Sequence, residues 1–173
     1  MMRQERKNMG LRKIRIMGDP VLTKKCRPVA KMDDKTYDLI EDMFDTMYES
    51  MGVGLAAPQV GILKRIVVID TGLEEPDPHV LINPEIIYTE GEQTGPEGCL
   101  SLPGKNGDVT RPMRVKVKAL DENMHEYVLE GAGLLARAIC HECDHLDGKL
   151  YISMVEGGLR DNDQMAEEGE EDA

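Results

Sequence analysis

Tryptophan is absent from this chain, phenylalanine occurs once, and tyrosine five times in 173 residues. Its interior must therefore be aliphatic and Met-rich. The twelve methionines suit irregular gaps in such a core better than contact with a cofactor. The chain has no run of 18 apolar residues, the length a membrane-spanning helix needs, so no membrane partner is expected. The N-terminus lacks the apolar core of a secretory signal, which points to the cytoplasm. Cysteine stands only at 26, 99, 140 and 143. Without a secretory signal a disulfide framework is a poor reading, and thiols in a reducing compartment are free to ligate a metal. Positive charge is also in deficit: the formal net charge is −12, which argues against nucleic-acid binding as the main task.

The charge is unevenly spread. Residues 161–173 hold seven acidic side chains and no Lys or Arg. The first thirteen residues hold Arg3, Arg6, Lys7, Arg12 and Lys13 against Glu5. Neither end shows an apolar pattern, so both read as solvated. A chain this long buries a sizeable core in one domain without disulfides or structural metals. The organisation expected is a basic, mobile extension over 1–10, a single folded domain over 11–158 and an acidic, disordered tail over 159–173.

Between the ends, apolar residues at Ile40, Met43, Phe44 and Met47 recur at helical spacing, with Thr36 in register. They predict a helix from Asp33 to Ser50, capped by Asp33 or Asp34 and ended by Gly52 and Gly54. Ile66 to Ile69 reads as a short buried strand. Val80 to Asn83 and Ile86 to Tyr88 read as strands interrupted by Pro84, as at an edge or bulge. Val115, Val117 and Ala119 alternate with Lys116 and Lys118, and after a turn at Asp121 to Asn123 the stretch Glu126 to Glu130 returns as a hairpin. Leu134 to Leu146 is a second helix, stopped by Asp147 and Gly148. Helices and strands do not alternate regularly, so the fold class is α+β with antiparallel sheets and not a doubly wound parallel sheet.

The most informative segment lies on that second helix: His141-Glu142-Cys143-Asp144-His145. Four residues apart on a helix, His141 and His145 present both imidazoles to one metal. At about 100° per residue, Leu134, Ala138, His141 and His145 fall in a stripe roughly 60° wide, otherwise apolar, which sets the metal against the core. Glu142 sits on the flank of this face, where a carboxylate can move a proton of water at the metal. Catalytic zinc-type sites have three protein ligands, and the third is open here. Cys143 faces away, Cys140 fits poorly, and Glu156 lies close to the tail. Cys99, in Glu97-Gly98-Cys99-Leu100-Ser101 at a strand edge, remains as a soft ligand, although a small buried thiol is the usual fate of a cysteine. A third segment, Gly52-Val53-Gly54-Leu55-Ala56-Ala57-Pro58-Gln59, has two glycines that permit close backbone approach and an amide donor in Gln59. It lacks the third glycine of a dinucleotide loop and the Lys of a phosphate loop.

Together these three segments resemble the peptide deformylases, whose motifs read G-φ-G-φ-A-A-x-Q, E-G-C-φ-S and H-E-φ-D-H. The likeness runs from about residue 11 to 155 and includes Gly18-Asp19-Pro20-Val21-Leu22 and His145-Leu146-Asp147-Gly148. The resemblance implies antiparallel sheets around a central metal-binding HExxH helix. It implies Cys99, His141 and His145 as ligands of one divalent metal, Fe²⁺ in the cell with Zn²⁺, Ni²⁺ or Co²⁺ able to occupy the site. It further implies Glu142 as general acid and base, and the Gln59 amide and Leu100 backbone N–H as donors to the formyl oxygen. Gly52, Val53 and Gly54 on one side and Glu97 and Gly98 on the other would flank an extended substrate, with Val53, Leu134 and Ala138 lining a methionine pocket. The implied substrates are formyl-methionyl N-termini of nascent polypeptides, met near the ribosomal exit tunnel. Cys140 stands where many members have Gln. Two rival readings stand beside this one. A zinc metalloprotease of the HExxH type needs a downstream ligand that the sequence does not offer convincingly. A structural zinc domain needs four protein ligands.

Overall fold

The structure is a computed structural model that describes residues 10–162. Helix α1 spans Asp34–Glu49 and opens on Asp33, whose carboxylate accepts from the Thr36 backbone N–H at 2.9 Å and from its hydroxyl at 2.7 Å. These bonds satisfy donors that the first helical turn leaves free. Leu39, Ile40, Met43 and Met47 form its buried face. The chain leaves α1 through Met51, a non-glycine residue at φ 55°, so the expected stop at Gly52 falls one position early.

Eight strands follow: β1 Gly54–Ala56, β2 Ile66–Asp70, β3 Pro78–Glu90, β4 Gln93–Cys99, β5 Leu102–Arg111, β6 Arg114–Leu120, β7 Glu126–Ala132 and, after a helix, β8 Glu156–Asp161. They form a five-stranded sheet in the order β1-β2-β3-β6-β7 and a three-stranded sheet in the order β4-β5-β8, every neighbour antiparallel. Pro84 does not split its region into two strands. β3 continues through it with a bulge between Ile82 and Glu85, and Asn83, at φ 51°, exchanges two side-chain hydrogen bonds with the backbone of Val29. A bulge is where a ladder tolerates a residue without an N–H. The β6–β7 hairpin is as expected, its turn held by Asp121, which accepts from the backbone N–H groups of Asn123 and His125.

Helix α2, Leu134–Leu146, starts after Gly133 at φ 60° and stops at Gly148 at φ 73°. A Cβ at Gly148 would lie 2.5 Å from the Thr23 carbonyl oxygen, so close approach as well as conformation requires glycine there. The two helices cover opposite faces of the five-stranded sheet. Ile66, Val68 and Ile82 pack with α1, while Val67, Ile69, Leu81, Val115 and Val117 pack with Ala136, Ile139 and Leu146 of α2. Burial on both faces is why β2 reads as a continuous apolar run and not as an alternation. The architecture is α+β.

The expected boundary at 158 falls within β8, which pairs with β5 up to Asp161, and Asn162 beyond it accepts from the Asn106 amide at 2.9 Å. The expectations for residues 1–9 and 163–173 lie outside the described residues. Among the described residues no helix is long and apolar enough to cross a membrane.

Candidate metal centre and its cleft

Cys99 ends strand β4 of the smaller sheet, and His141 and His145 stand one turn apart on α2. Their donor atoms converge. Cys99 Sγ lies 3.3 Å from His145 Nε2, and the two Nε2 atoms are 3.2 Å apart. A tetrahedral ion held at about 2.0–2.1 Å by nitrogen and about 2.3 Å by sulfur spaces its donors about 3.3–3.6 Å apart, so the residues fit such an ion. Among the described residues these three form the only group of His, Cys, Asp or Glu donors converged in this way, all within 4.8 Å of one another.

The donor that joins the two histidines in this group is a cysteine from another sheet. Cys140 and Cys143 lie on the other side of α2, in or against the aliphatic cluster over the five-stranded sheet. The side facing the sheet core is the one carrying Ala136, Ile139 and Cys140, while the stripe with Leu134, Ala138 and His141 faces a cleft. Leu134, about half exposed, forms part of its rim. Glu156, exposed in β8, bonds Thr110.

His141 is oriented from behind. Its Nδ1 lies 2.8 Å from the Glu97 carboxylate, which can only accept, so Nδ1 carries the hydrogen and Nε2 keeps its lone pair for a metal. Glu97 also accepts from Arg111 Nε at 3.0 Å, from Arg111 Nη2 at 2.7 Å and from Arg137 Nη1 at 2.9 Å, and Arg111 in turn reaches Asp144 at 2.7 Å. Burial works to raise the Glu97 carboxyl, but donation from His141 and Arg111 holds it down at about 2. Sequence reading placed Glu97 beside the substrate. Its backbone does border the cleft, but its side chain is turned inward onto His141 and the two arginines.

Glu142 Oε1 is 3.6 Å from His141 Nε2. Burial pushes its carboxyl up to about 7, against the pull of His141. Gly54 makes room for it: a Cβ there would sit 2.9 Å from Glu142 Cγ, and a Cβ at Gly52 would sit 2.7 Å from Leu100 Cδ1. Gly54 thus keeps space for a buried carboxylate, whereas at Gly52 a Cβ would meet the flexible end of Leu100. Gln59 is almost fully buried. Its oxygen accepts from Ala56 N–H at 2.9 Å, and its Nε2 donates to Ser101 Oγ at 3.0 Å and to Cys99 Sγ at 3.5 Å. Ser101 is a site partner that sequence reading passed over.

The cleft has a volume of about 570 Å³. Gly52, Val53 and Gly54 line one side, Glu97, Gly98 and Leu100 the other, and Leu134, Ala138, His141 and Glu142 its helical wall, so the expected substrate residues share one space. Gln59 and His145 lie behind that surface. Arg137, which sequence reading did not single out, lines it as well.

A cysteine sulfur and two imidazoles converging beneath an open cleft, with a carboxylate beside them, are the donor set of a mononuclear metal-dependent hydrolase. Comparison with known proteins gives the family. The polypeptide deformylase family model matches residues 11–160. The peptide deformylase of Agathobacter rectalis is 63% identical over 88% of this chain and 95% of its own length, and that of Lachnoclostridium phytofermentans is 60% identical over 94% and 100%. Among solved structures, the peptide deformylase of Legionella pneumophila superposes with a TM-score of 0.82 at 45% identity, covering 85% of this chain and 87% of that one. The chain belongs to the peptide deformylase family. It is a hydrolase acting on formylated polypeptides, and the family implies a divalent metal at the Cys/His/His site.

Proposed function

We propose that the chain releases formate from the N-terminal formyl-methionine of newly made polypeptides, with Glu142 moving the protons and with Gln59 and the Leu100 backbone N–H receiving the formyl oxygen. The observation that carries this assignment is the convergence of Cys99, His141 and His145 beneath a cleft lined by Glu142, whose carboxylate lies 3.6 Å from the metal-side nitrogen of His141. A divalent ion held by the three side chains supplies Lewis acidity, lowering the pKa of water towards about 7 and polarising a carbonyl.

The remaining work falls to the chain. Hydrolysis joins a water oxygen to the formyl carbon and breaks the C–N bond, so one proton must leave the water and one must reach the departing amine. Glu142 is placed for both transfers. Charge develops on the formyl oxygen, and a preformed donor aimed at it is worth about 3 kcal/mol. The Gln59 amide, 3.5 Å from the Cys99 sulfur, stands next to where that oxygen must be. β1 and β4 are edge strands of their sheets, so their free edges suit an extended peptide entering between Gly54 and Glu97-Gly98. Val53, Leu134 and Ala138 then line the methionine side chain.

The metal we assign in the cell is Fe²⁺, with Zn²⁺, Ni²⁺ or Co²⁺ able to replace it. The compartment is the cytoplasm, where substrates emerge from the ribosome and where Cys99 stays reduced, all four cysteines being unpaired. Protein purified anaerobically with iron is expected to deformylate formyl-Met peptides, to act far more slowly on acetyl-Met peptides and to leave internal peptide bonds intact. Equal rates on formyl and acetyl substrates would overturn the reading. In air, the iron form should lose activity faster than the nickel form, with Cys99 the first cysteine found oxidised by peptide mass spectrometry, because Cys26 and Cys140 are buried and Cys99 borders the cleft. An iron form as durable as the nickel form speaks against iron as the assigned metal.

A further inference from the structure

The helical wall of the cleft carries a cation that deformylation as described does not use. Leu134, Arg137, Ala138 and His141 recur at i, i+3, i+4 and i+7 of α2, and all four line the cleft. Leu134 and Ala138 suit an apolar side chain and His141 faces the metal position, but Arg137 fits neither role. Its side chain is only 9% exposed. Nη1 is engaged, donating to Glu97 at 2.9 Å and to the Val109 carbonyl at 3.0 Å. Nε and Nη2 have no hydrogen-bond partner among the described residues and neither belongs to the buried unsatisfied atoms, so these donors keep some exposure in a residue that lines the cleft. Gly95 packs beside the guanidinium, where a Cβ would stand 3.8 Å from Nη2.

We infer that Arg137 gives the methionine pocket a polar end, and that the site therefore accepts formyl-methionine sulfoxide as a substrate alongside formyl-methionine. The inference rests on the deformylase reading, which fixes the formyl group at the metal. From there the side chain of the first residue runs along α2 past Ala138. Arg137 lies four residues from His141, about 6 Å along the helix axis, a distance covered by a side chain whose sulfur reaches about 4 Å from Cα together with a hydrogen bond of about 3 Å. A thioether is a weak acceptor, and the chain already contains a contact of this kind: Arg111 Nη1 donates to Met154 Sδ at 3.8 Å. A sulfoxide oxygen is a much stronger acceptor. In a wholly apolar pocket it would be buried without a partner and rejected, whereas facing a guanidinium it receives charge-assisted hydrogen bonds. The hydrolysis itself is unchanged: water oxygen goes to the formyl carbon, the C–N bond breaks, the amine takes a proton and the sulfoxide is untouched. A hydrocarbon-lined pocket would treat norleucine and methionine alike, because it reads only size. The rank of sulfoxide against norleucine is therefore the signature of Arg137.

The test measures kcat/KM on three tripeptides, formyl-Met-Ala-Ser, formyl-Met(O)-Ala-Ser and formyl-norleucyl-Ala-Ser. The proteins are the unaltered metal-loaded protein, Arg137→Leu and Arg111→Met. In the unaltered protein the sulfoxide peptide should be cleaved at least as fast as the norleucine peptide. In Arg137→Leu the sulfoxide-to-norleucine ratio should fall about tenfold or more, the scale of a hydrogen bond to a charged group, and the methionine-to-norleucine ratio should fall by less. Arg111→Met strips the same Glu97 carboxylate of a guanidinium outside the cleft, and should leave both ratios unchanged. Loss of metal or of His141 orientation affects all three substrates equally and divides out of a ratio, so a purely structural role for Arg137 would not move it. An unaltered sulfoxide-to-norleucine ratio in Arg137→Leu overturns the inference while leaving the deformylase reading intact. If Arg137→Leu does not fold, slower cleavage of sulfoxide than of norleucine by the unaltered protein overturns it alone. Failure of the unaltered protein on formyl-Met-Ala-Ser would instead remove the deformylase reading.

Discussion

Helices α1 and α2 lie against opposite faces of the same five-stranded sheet, yet they meet the interior with different chemistry. α1 buries Leu39, Ile40, Met43 and Met47 and is closed at its start by its own Asp33. α2 buries Arg137, His141, Glu142 and His145, and no side chain of its own caps it. Its entry is held from the smaller sheet, where Gln93 donates to the Gly133 carbonyl at 2.7 Å. Part of its polar face is satisfied from that sheet too, Glu97 of β4 meeting Arg137 and His141 and Arg111 of β5 meeting Asp144, while Glu142 Oε2 and His145 Nδ1 have no partner among the described residues. A helix that holds a reactive site cannot stabilise itself by apolar burial alone, because the groups that react must be polar. It draws on a second layer for partners.

The contrast can be pressed from both sides. The largest effect is expected at Glu142→Gln, which should lose about 10²–10⁴-fold in turnover. Metal content and unfolding midpoint should stay near normal, because Glu142 is not a ligand; turnover close to the parent's would remove it from the reaction. Glu97→Ala should strand Arg111 and Arg137 without their carboxylate and cost about 3–5 kcal/mol in urea unfolding. Metal affinity should also weaken by about 10–100-fold, since His141 loses the group that orients it. Met43→Ala, on the apolar side, should cost about 2–5 kcal/mol of stability with kcat of the folded protein unchanged, as followed by denaturant titration beside a rate assay. The smallest change is expected at Asp33→Ala, about 1 kcal/mol from the lost cap. If Asp33→Ala lowered metal affinity as Glu97→Ala should, the division of labour between the helices would be wrong.

The same contrast explains what could be read in advance. α1, α2 and the β6–β7 hairpin are governed by local signals: an Asp cap, apolar residues at helical spacing, and alternation with Lys116 and Lys118. The HExxH helix likewise announces His141 and His145. The smaller sheet gives no such signal. Gln93 to Cys99 and Leu102 to Arg111 hold Gly95, Gly98, Gly104, Gly107, Pro96 and Pro103, residues that weaken a strand pattern. These strands exist because they pair with each other and with β8. The passage of β3 through Pro84 depends on Asn83 meeting Val29, 54 positions away. The Glu97 network was hidden for the same reason: Arg111, Arg137 and His141 lie 14, 40 and 44 positions from Glu97. Cys99 as third ligand came from a family likeness, because its helical partners cannot reveal a residue delivered by another sheet.

That delivery has a thermodynamic consequence. Cys99 belongs to the three-stranded sheet, whereas the two histidines ride on a helix packed against the five-stranded sheet. An ion seated among them would be a cross-brace between two layers, and the unfolded chain, with Cys99 and His141 42 positions apart, has no preformed equivalent of it. Whatever free energy the ion gains on binding is therefore added to the free energy of docking one sheet against the other. Chelation should loosen the molecule unevenly. Amide exchange should quicken first along β4, β5 and β8, while the doubly covered strand β2 keeps its protection.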